Sequence, residues 1–330
     1  MARFRDIAGH RHLLDLIAGA TARGSLPPSL IFAGPDGVGK RLAAIALAQF
    51  VNCLTRKNGD LDSCGACAAC TRIARGLHAD VLVIEPGETG SIKVDQVRDA
   101  IDRAAYRPFE GRRRVVIVDE ADAMLPEAQN ALLKTLEEPP GASTFVLVTS
   151  RPDMLLPTVR SRCQRLRFGR LPAQEIADVL MRSHEYSPAE AHAAASAADG
   201  SIGLALEGGL DTFAEARDVA AEVLQGVAAA RDPRRRLESA KALAGAGDRD
   251  ELRRRLRALA SMLRDLGALG AHADEQHLAN ADLLEPLRRL SAAYDRERVT
   301  QAFAAVDRAL EAIDRNASPK IVADWVAFQL

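Results

Sequence analysis

The sequence predicts a three-layer α/β domain with a mostly parallel sheet, followed by an all-helical second half. In the first half of the 330 residues, short and nearly continuous apolar runs alternate with helical patterns. Such runs are typical of strands that are buried on both faces. After Phe168 the strand signals stop, and Ala, Leu and Arg recur at helical spacing. The chain is also longer than a single hydrophobic core usually supports, so we expect two or three domains.

Four apolar runs predict the strands, and the segments between them predict helices that cover the sheet. The predicted strands are Leu30–Phe32, Val81–Ile84, Val115–Val118 and Phe145–Val148. Val94, Val97 and Ile101 repeat at helical spacing between the second and third strands, and a similar pattern follows the third. The second half carries helical patterns of differing length, with breaks at Pro188 and Gly200.

Composition and charge exclude several classes of protein. Lys and Arg number 44 against 45 Asp and Glu, a formal net charge of -1, which argues against a chain whose whole surface binds nucleic acid. We expect Arg253–Arg255 on the solvated side of a helix rather than in a DNA track. No apolar stretch approaches the ~18 residues of a membrane span, and the N-terminus carries no apolar signal segment. We therefore expect a soluble cytoplasmic protein with no membrane partner.

The segment GPDGVGKR follows the first predicted strand and precedes a helical pattern, as a phosphate-binding loop does. Gly34, Gly37 and Gly39 allow backbone N–H groups to face phosphate oxygens, and Lys40 supplies a cation for them. In a loop that supports hydrolysis the next residue is Ser or Thr, whose hydroxyl binds Mg²⁺, but here it is Arg41. Phosphate binding can survive this change, whereas metal-assisted hydrolysis should be badly impaired.

Asp119 and Glu120 follow the third predicted strand, at the edge of the sheet where ligands bind in open α/β folds. In P-loop enzymes an Asp at this place positions Mg²⁺, and a neighbouring Glu can activate water. The alternative is an ordinary strand-to-helix turn in which Asp119 caps the helix. The phosphate-binding loop upstream favours the nucleotide site, although Arg41 leaves open whether either acid is used.

Cysteines are concentrated in one short segment. Cys53, Cys64, Cys67 and Cys70 form two overlapping C-x₂-C pairs with one distal partner, and four thiolates are the set that a closed structural zinc site requires. The alternative is that the last three line the buried stripe of a helix. We predict structural zinc, because a full set of protein ligands leaves no open position for catalysis. Cys163 stands apart and is expected to be a small buried residue.

Arg160, Arg162 and Arg165 cluster where the α/β domain is expected to end. The usual interpretation of such a cluster is a solvated rim. The functional alternative is that one of them stabilises a transferring γ-phosphate in a neighbouring subunit, as an arginine finger does.

Four further segments resemble those of a known protein family. They are NALLKTLEEPP from Asn130, SRC from Ser161, the Cys-rich insert after the P-loop helix, and NASPKIVADWV from Asn316. Together they resemble the subunits of the bacterial DNA polymerase III clamp loader, which are AAA+ proteins. The resemblance implies an AAA+ P-loop domain over residues 1–168 with a four-cysteine zinc module at 53–70, an all-α lid over 169–208 and an all-α collar over 209–330.

The resemblance also implies a function in chromosome replication. Clamp-loader subunits, among them gamma/tau and delta, join through their collars into a hetero-pentamer that opens a ring-shaped sliding clamp onto primed DNA. A subunit of this kind would work at the replisome, would meet DNA only through the complex, and would belong to the DNA polymerase III holoenzyme by association. The resemblance leaves open whether the chain is itself an enzyme.

Two kinds of subunit compete within this family, the gamma/tau type that hydrolyses ATP and the delta prime stator that does not need to. Motor subunits carry Gly-Lys-Thr where this chain has Arg41, and offer a lid arginine to the γ-phosphate where it has Gly203. These departures favour the delta prime type, with ATP binding possible and hydrolysis weak or absent. The resemblance further implies that Arg162 is an arginine finger in trans and that Thr149 occupies a sensor position. An active motor and a free-standing zinc-stabilised nucleic-acid binder remain as alternatives.

Overall fold

The structure, a computed structural model, describes residues 3–57, 59–87, 89–206, 209–229, 233–273, 278–280, 283–315 and 317–330. The chain divides into two compact units. The first comprises Met1–Glu175 with Ser201–Gly203, and the second comprises Ile176–Gly200 with Leu204–Leu330.

A five-stranded parallel sheet forms the centre of the first unit. Its strands are β1 (Ser29–Ala33), β2 (Val81–Ile84), β3 (Arg114–Val118), β4 (Ser143–Thr149) and β5 (Gln164–Arg167). Their order across the sheet is β2-β3-β4-β1-β5. Ala33 lies opposite Thr149, so the carboxyl ends of β1 and β4 meet at the edge where the phosphate loop begins.

Helices cover both faces of this sheet. In chain order they are α1 (Arg11–Ala22), α2 (Lys40–Asn52), α3 (Ala68–Ala74), α4 (Val94–Ala105), α5 (Pro126–Glu137) and α6 (Pro157–Arg160). One apolar cluster joins Phe32 of β1 to Leu47 and Phe50 of α2. A second cluster on the other face joins Phe145 of β4 to Leu132 of α5. Two buried layers around one sheet confirm the predicted three-layer α/β domain.

In the rest of the chain, the described residues form helices joined by turns and loops, and none of them forms a strand. The helices are α7 (Ala173–Ser183), α8 (Pro188–Ala197), α9 (Ile202–Leu206), α10 (Gly209–Ala229), α11 (Pro233–Ala244), α12 (Arg249–Gly270), α13 (Leu284–Ser291), α14 (Arg296–Asp314) and α15 (Pro319–Gln329). Leu256, Leu259 and Met262 of α12 are fully buried at the centre of an apolar cluster with α10, α14 and α15. The predicted all-helical second half is confirmed.

The structure adds one strand to those predicted and corrects one local expectation. All four predicted strands form, but the edge strand β5 was not predicted, because most of its side chains are exposed and polar. Arg255 is buried rather than solvated, since its guanidinium donates to the carbonyl oxygens of Ala242 and Leu243 at the end of α11. The domain boundaries at 168 and 208 stay predictions, and residue 208 lies outside the described residues. Within the described residues, every helix is too short or too polar to cross a membrane.

Candidate nucleotide site and cysteine module

The phosphate loop connects β1 to α2, and its glycines are required by the backbone. A Cβ atom at Gly34 would clash with the carbonyl oxygen of Phe168. Gly37 and Gly39 have φ angles of 68° and 95°, a left-handed conformation that favours glycine. The three predicted glycines therefore shape one loop, which ends at Lys40, the first residue of α2.

Lys40 is folded back onto this loop. Its Nζ donates hydrogen bonds to the carbonyl oxygens of Gly34 and Pro35 at 2.7 and 2.6 Å and lies 3.7 Å from Asp36. The side chain is only 6% exposed, and this burial lowers the pKa of Lys40. To bind a phosphate, the ammonium group would have to exchange these carbonyl partners for phosphate oxygens.

Arg41 occupies the acidic side of the site. Its Nη1 donates to Oδ2 of Asp119 at 2.9 Å, and its Nη2 forms an ion pair with Glu85. Asp119 directly follows β3, and its side chain is 14% exposed. A guanidinium group has donors but no lone pair for a metal, so it neutralises Asp119 without recruiting a cation.

Glu120 adopts a left-handed conformation, with φ 47°. Its backbone N–H donates to Oδ1 of Asp119 at 3.1 Å. Burial raises the pKa of Glu120, and the nearby charges of Asp119 and Asp122 raise it further. The structure thus brings both predicted acids to the end of β3, with Asp119 paired and Glu120 in an environment that disfavours its charge.

Thr149, at the end of β4, is tied to an acid that sequence reasoning assigned no role. Its Oγ1 donates to Oδ1 of Asp122 at 2.6 Å, and Nε of Arg151 donates to the other oxygen of Asp122 at 2.9 Å. The carbonyl oxygen of Thr149 accepts the N–H of Gly34 at 3.2 Å. Thr149 therefore lies beside the start of the phosphate loop, with its hydroxyl engaged by Asp122.

Gly203 packs directly on the phosphate loop. Its N–H donates to the carbonyl oxygen of Gly37 at 2.9 Å, and a Cβ atom here would lie 2.7 Å from Gly37 Cα. The backbones are too close for any side chain at this position. Sequence reasoning identified the missing lid arginine at Gly203 but not this contact, because it depends on tertiary packing alone.

Arg162 bonds to a different part of the first unit. Its Nε donates to Oε1 of Glu137 at 2.6 Å, and its Nη1 donates to the carbonyl oxygen of Thr158 at 2.9 Å. The side chain keeps 31% of its surface exposed. Arg160 pairs with Asp153 at 2.7 Å, whereas Arg165 is exposed on β5.

The predicted cysteines form one cluster. The sulfur atoms of Cys53, Cys64, Cys67 and Cys70 all lie within 4.8 Å of one another. Cys53 follows α2, Cys67 precedes α3 and Cys70 lies within it, so the ligands come from three local structures. This excludes the alternative of a stripe on one helix. Cys163 is separate and buried, and burial raises its pKa to about 12.

The backbone around Cys64 favours a thiolate. The N–H groups of Ala66 and Cys67 approach its sulfur at 3.4 and 3.2 Å, in a turn through Gly65 at φ 75°. The hydroxyl of Thr55 and these N–H groups lower the pKa of Cys64 to about 6. Four sulfur donors at this mutual spacing, one already disposed to ionise, fit the tetrahedral set of a structural zinc ion.

The known proteins that resemble this chain include subunits of bacterial DNA polymerase III. Residues 9–172 match the family described as DNA polymerase III, delta subunit. The chain is 37% identical over 175 residues to the DNA polymerase III tau subunit of Bacillus subtilis, covering 53% of this chain and 30% of that protein. It is 40% identical over 159 residues to the delta' subunit of Pseudomonas aeruginosa, covering 48% of each. Residues 9–172 therefore belong to the family of AAA+ clamp-loader subunits of bacterial DNA polymerase III.

The relatives do not separate the two kinds of subunit, since tau and delta' proteins both match. The chain spans 30% of the length of the tau subunit and 48% of that of the delta' subunit. Among solved structures, a gamma subunit-related protein from Thermotoga maritima matches with a TM-score of 0.46 and 19% identity, covering 94% of this chain and 98% of the other.

Proposed function

We propose that this chain is a delta prime subunit, the stator of the clamp loader, which assists ATP-dependent loading of the sliding clamp on primed DNA and hydrolyses ATP poorly or not at all. The observation that carries the proposal is the pairing of Arg41 with Asp119 and Glu85. Mg²⁺ in a P-loop site needs the loop hydroxyl and the acid after the strand. Here the hydroxyl is absent and the acid is neutralised by a fixed cation.

A second observation supports the proposal independently. A lid arginine that approaches the γ-phosphate would stand at Gly203, where the backbone touches Gly37 and leaves no space for a Cβ atom. Restoring the loop hydroxyl alone would therefore not restore this second contact. Two separate losses, one for the metal and one for the γ-phosphate, favour a stator over a motor.

Nucleotide binding without efficient hydrolysis remains part of the proposal. The glycine-shaped loop and Lys40 are retained, and the loop amides can face a phosphate. The expected ligand is ATP or ADP held without Mg²⁺, with Lys40 released from Gly34 and Pro35. Asp119, Glu120 and Thr149 would line this site rather than carry out hydrolysis.

Arg162 is the arginine that we propose acts in trans. Glu137 and Thr158 orient its guanidinium, and part of the side chain remains exposed. A planar, always charged fork suits the equatorial oxygens of a γ-phosphoryl group in transfer. The hydrolysing site would belong to a neighbouring gamma/tau subunit.

The remaining elements of the proposal are the metal and the partners. Zinc held by Cys53, Cys64, Cys67 and Cys70 would be structural, because the four thiolates complete its coordination. The partners would be the gamma/tau and delta subunits in a hetero-pentamer and the sliding clamp. The chain would act at the replisome in the cytoplasm and would contact DNA only through the other subunits of the complex.

The proposal is tested by reconstituting the complex with this chain altered at Lys40. A stator does not use its own phosphate loop for hydrolysis, so Lys40→Ala should leave the clamp-loading rate of the complex nearly unchanged, while omission of the chain should abolish loading. The alternative, a gamma/tau-type motor, is supported by the comparable identity to the tau subunit. It predicts instead that Lys40→Ala lowers loading as strongly as the same change in a Gly-Lys-Thr subunit.

A further inference from the structure

The N-terminal segment Arg3–His10, here called the strap, connects the cysteine module to the phosphate loop. On the module side, one carboxylate holds it. Asp62 accepts the N–H of Phe4 through Oδ1 and the N–H of Arg5 through Oδ2, both at 3.1 Å. Nε of Arg5 lies 3.6 Å from the same Oδ2.

A glycine of the module also lies directly under the strap. Gly65 sits between two of the clustered cysteines, and a Cβ atom there would lie 2.9 Å from Cδ of Arg3. The module therefore meets the strap through the carboxylate of Asp62 and through the bare backbone of Gly65.

On the other side, the strap covers the phosphate loop. His10 Nε2 lies 3.1 Å from the carbonyl oxygen of Val38 and forms a hydrogen bond with it. Ile7 is buried, and its Cγ2 would lie 3.5 Å from a Cβ atom at Gly39. Val38 and Gly39 immediately precede Lys40, so the strap fixes the part of the loop that aims the phosphate-binding lysine.

Metal binding would set the position of Asp62. Asp62 is two residues from Cys64, and Ser63 N between them donates to Oδ1 of Asp62 at 2.8 Å. The segment from Cys53 to Cys64 lacks regular secondary structure where it is described, so a metal bound by both of these cysteines would fix its two ends.

We propose that Asp62 is a positioning residue through which the zinc-loaded cysteine module holds the strap, and thereby the phosphate loop, in place. This inference rests on the proposed zinc site and phosphate loop. It assigns the module a task in the nucleotide site: metal at the four cysteines orders Val38 and Gly39 through Asp62 and the strap.

The test is hydrogen exchange of the full chain, followed in peptides covering residues 3–9 and 34–41, with zinc content measured on each sample. Asp62→Ala should keep its zinc and lose about tenfold or more of the protection in both peptides. In Asp62→Asn the protection of both peptides should be intermediate. The single side-chain oxygen can keep the bond to Phe4, but the amide nitrogen faces the N–H of Arg5 and cannot accept from it. Chelation of the wild type should reproduce the effect of Asp62→Ala.

Asp60→Ala is the matched control, because Asp60 lies in the same segment and its carboxylate accepts only the N–H of Lys57 among its described bonds, at 2.8 Å. It should leave both peptides unchanged. Bound zinc with unchanged exchange in Asp62→Ala would overturn the inference and leave the proposed zinc site intact. A wild-type chain without zinc would overturn the zinc site and the inference with it.

Discussion

At the scale of single residues, the proposed loss of hydrolysis depends mainly on Arg41. Its guanidinium pairs with the carboxylate of Asp119, the acid that helps to bind the metal in a catalytic P-loop site. Mg²⁺ at this place would lack the hydroxyl ligand and would be repelled by the positive charge of Arg41. The substitution thus does more than remove a hydroxyl, because Arg41 also forms an ion pair with the acid that would have helped to bind the metal.

Arg41→Thr should restore Mg²⁺ dependence before it restores hydrolysis. We expect Mg²⁺ to raise the ATP affinity of this variant about tenfold, equivalent to roughly 1.4 kcal/mol, while turnover stays at background because Gly203 offers no γ-phosphate contact. Titration calorimetry with and without Mg²⁺ measures the difference. Arg41→Ala is the control, since it frees Asp119 without supplying a hydroxyl. Equal Mg²⁺ dependence in the wild type would contradict this account.

Arg162→Ala should leave the chain folded and able to assemble, yet slow the neighbouring ATPase site by as much as ~10³-fold. Arg162→Lys should rescue little, because a point charge lacks the planar fork. The measurements are the ATPase and clamp-loading rates of the reconstituted complex. Arg160→Ala is the control, since Arg160 pairs with the exposed Asp153. Unchanged rates with Arg162→Ala would return the cluster to a solvated rim, and a larger effect at Arg160 would contradict the assignment to Arg162.

At the scale of elements, the buried carboxylate of Asp80 holds part of the loop between α4 and β3. Asp80 accepts the N–H groups of Phe109, Glu110 and Gly111 and the guanidinium of Arg114 at 2.7 to 2.9 Å. Burial opposes the charge of Asp80, but these bonds outweigh it and lower its pKa to about 2. The charge of Asp80 therefore holds residues 109–111 of the loop and the guanidinium of Arg114.

Asp80→Asn should destabilise the first unit by about 3 kcal/mol or more, because it leaves Arg114 buried without its countercharge. The lowered pKa means that the stabilisation by Asp80 is complete above the unfolded-state value of about 4 and is lost as the pH falls toward about 2. Denaturant unfolding between pH ~7 and ~2 checks both points. The exposed Asp99→Asn on α4 is the control, and a variant as stable as the wild type at neutral pH would refute the role of Asp80.

The cysteine module yields a prediction with an internal control. Cys64→Ser should abolish stoichiometric zinc, because it removes one of four thiolates. Cys163→Ser should keep zinc, since Cys163 lies outside the cluster. Metal analysis of the purified proteins decides the matter. Wild-type protein with no metal and four freely titrating thiols would contradict the zinc site.

Periodicity and motif spacing were sufficient for the elements whose signals are local. The four apolar strands and the cysteine cluster follow from patterns of this kind. The strand β5 could not be predicted from such a pattern, because an exposed edge strand lacks an apolar run. The burial of Arg255 could not be predicted in this way, because its partners are carbonyl groups at the end of another helix. The contacts of Gly203 with Gly37, and of Thr149 with Asp122, arise only when distant segments pack together.

At the scale of the whole molecule, the segment Ser201–Gly203 belongs with the first unit, whereas the helical residues on both sides of it belong with the second. The chain therefore returns to the first unit for these three residues, and Gly203 of this segment bonds to Gly37 of the phosphate loop. For the proposed stator, we expect this bond to keep the phosphate loop in one conformation.

The most direct test of the central claim is steady-state ATP turnover of the purified chain in Mg²⁺, compared with its Lys40→Ala variant. With Arg41 paired to Asp119, we predict that the wild type turns over ATP at background and that Lys40→Ala changes nothing. Added Gly-Lys-Thr subunits should turn over ATP only through their own sites. Robust turnover by the isolated wild type, abolished by Lys40→Ala, would contradict the account and identify a motor subunit.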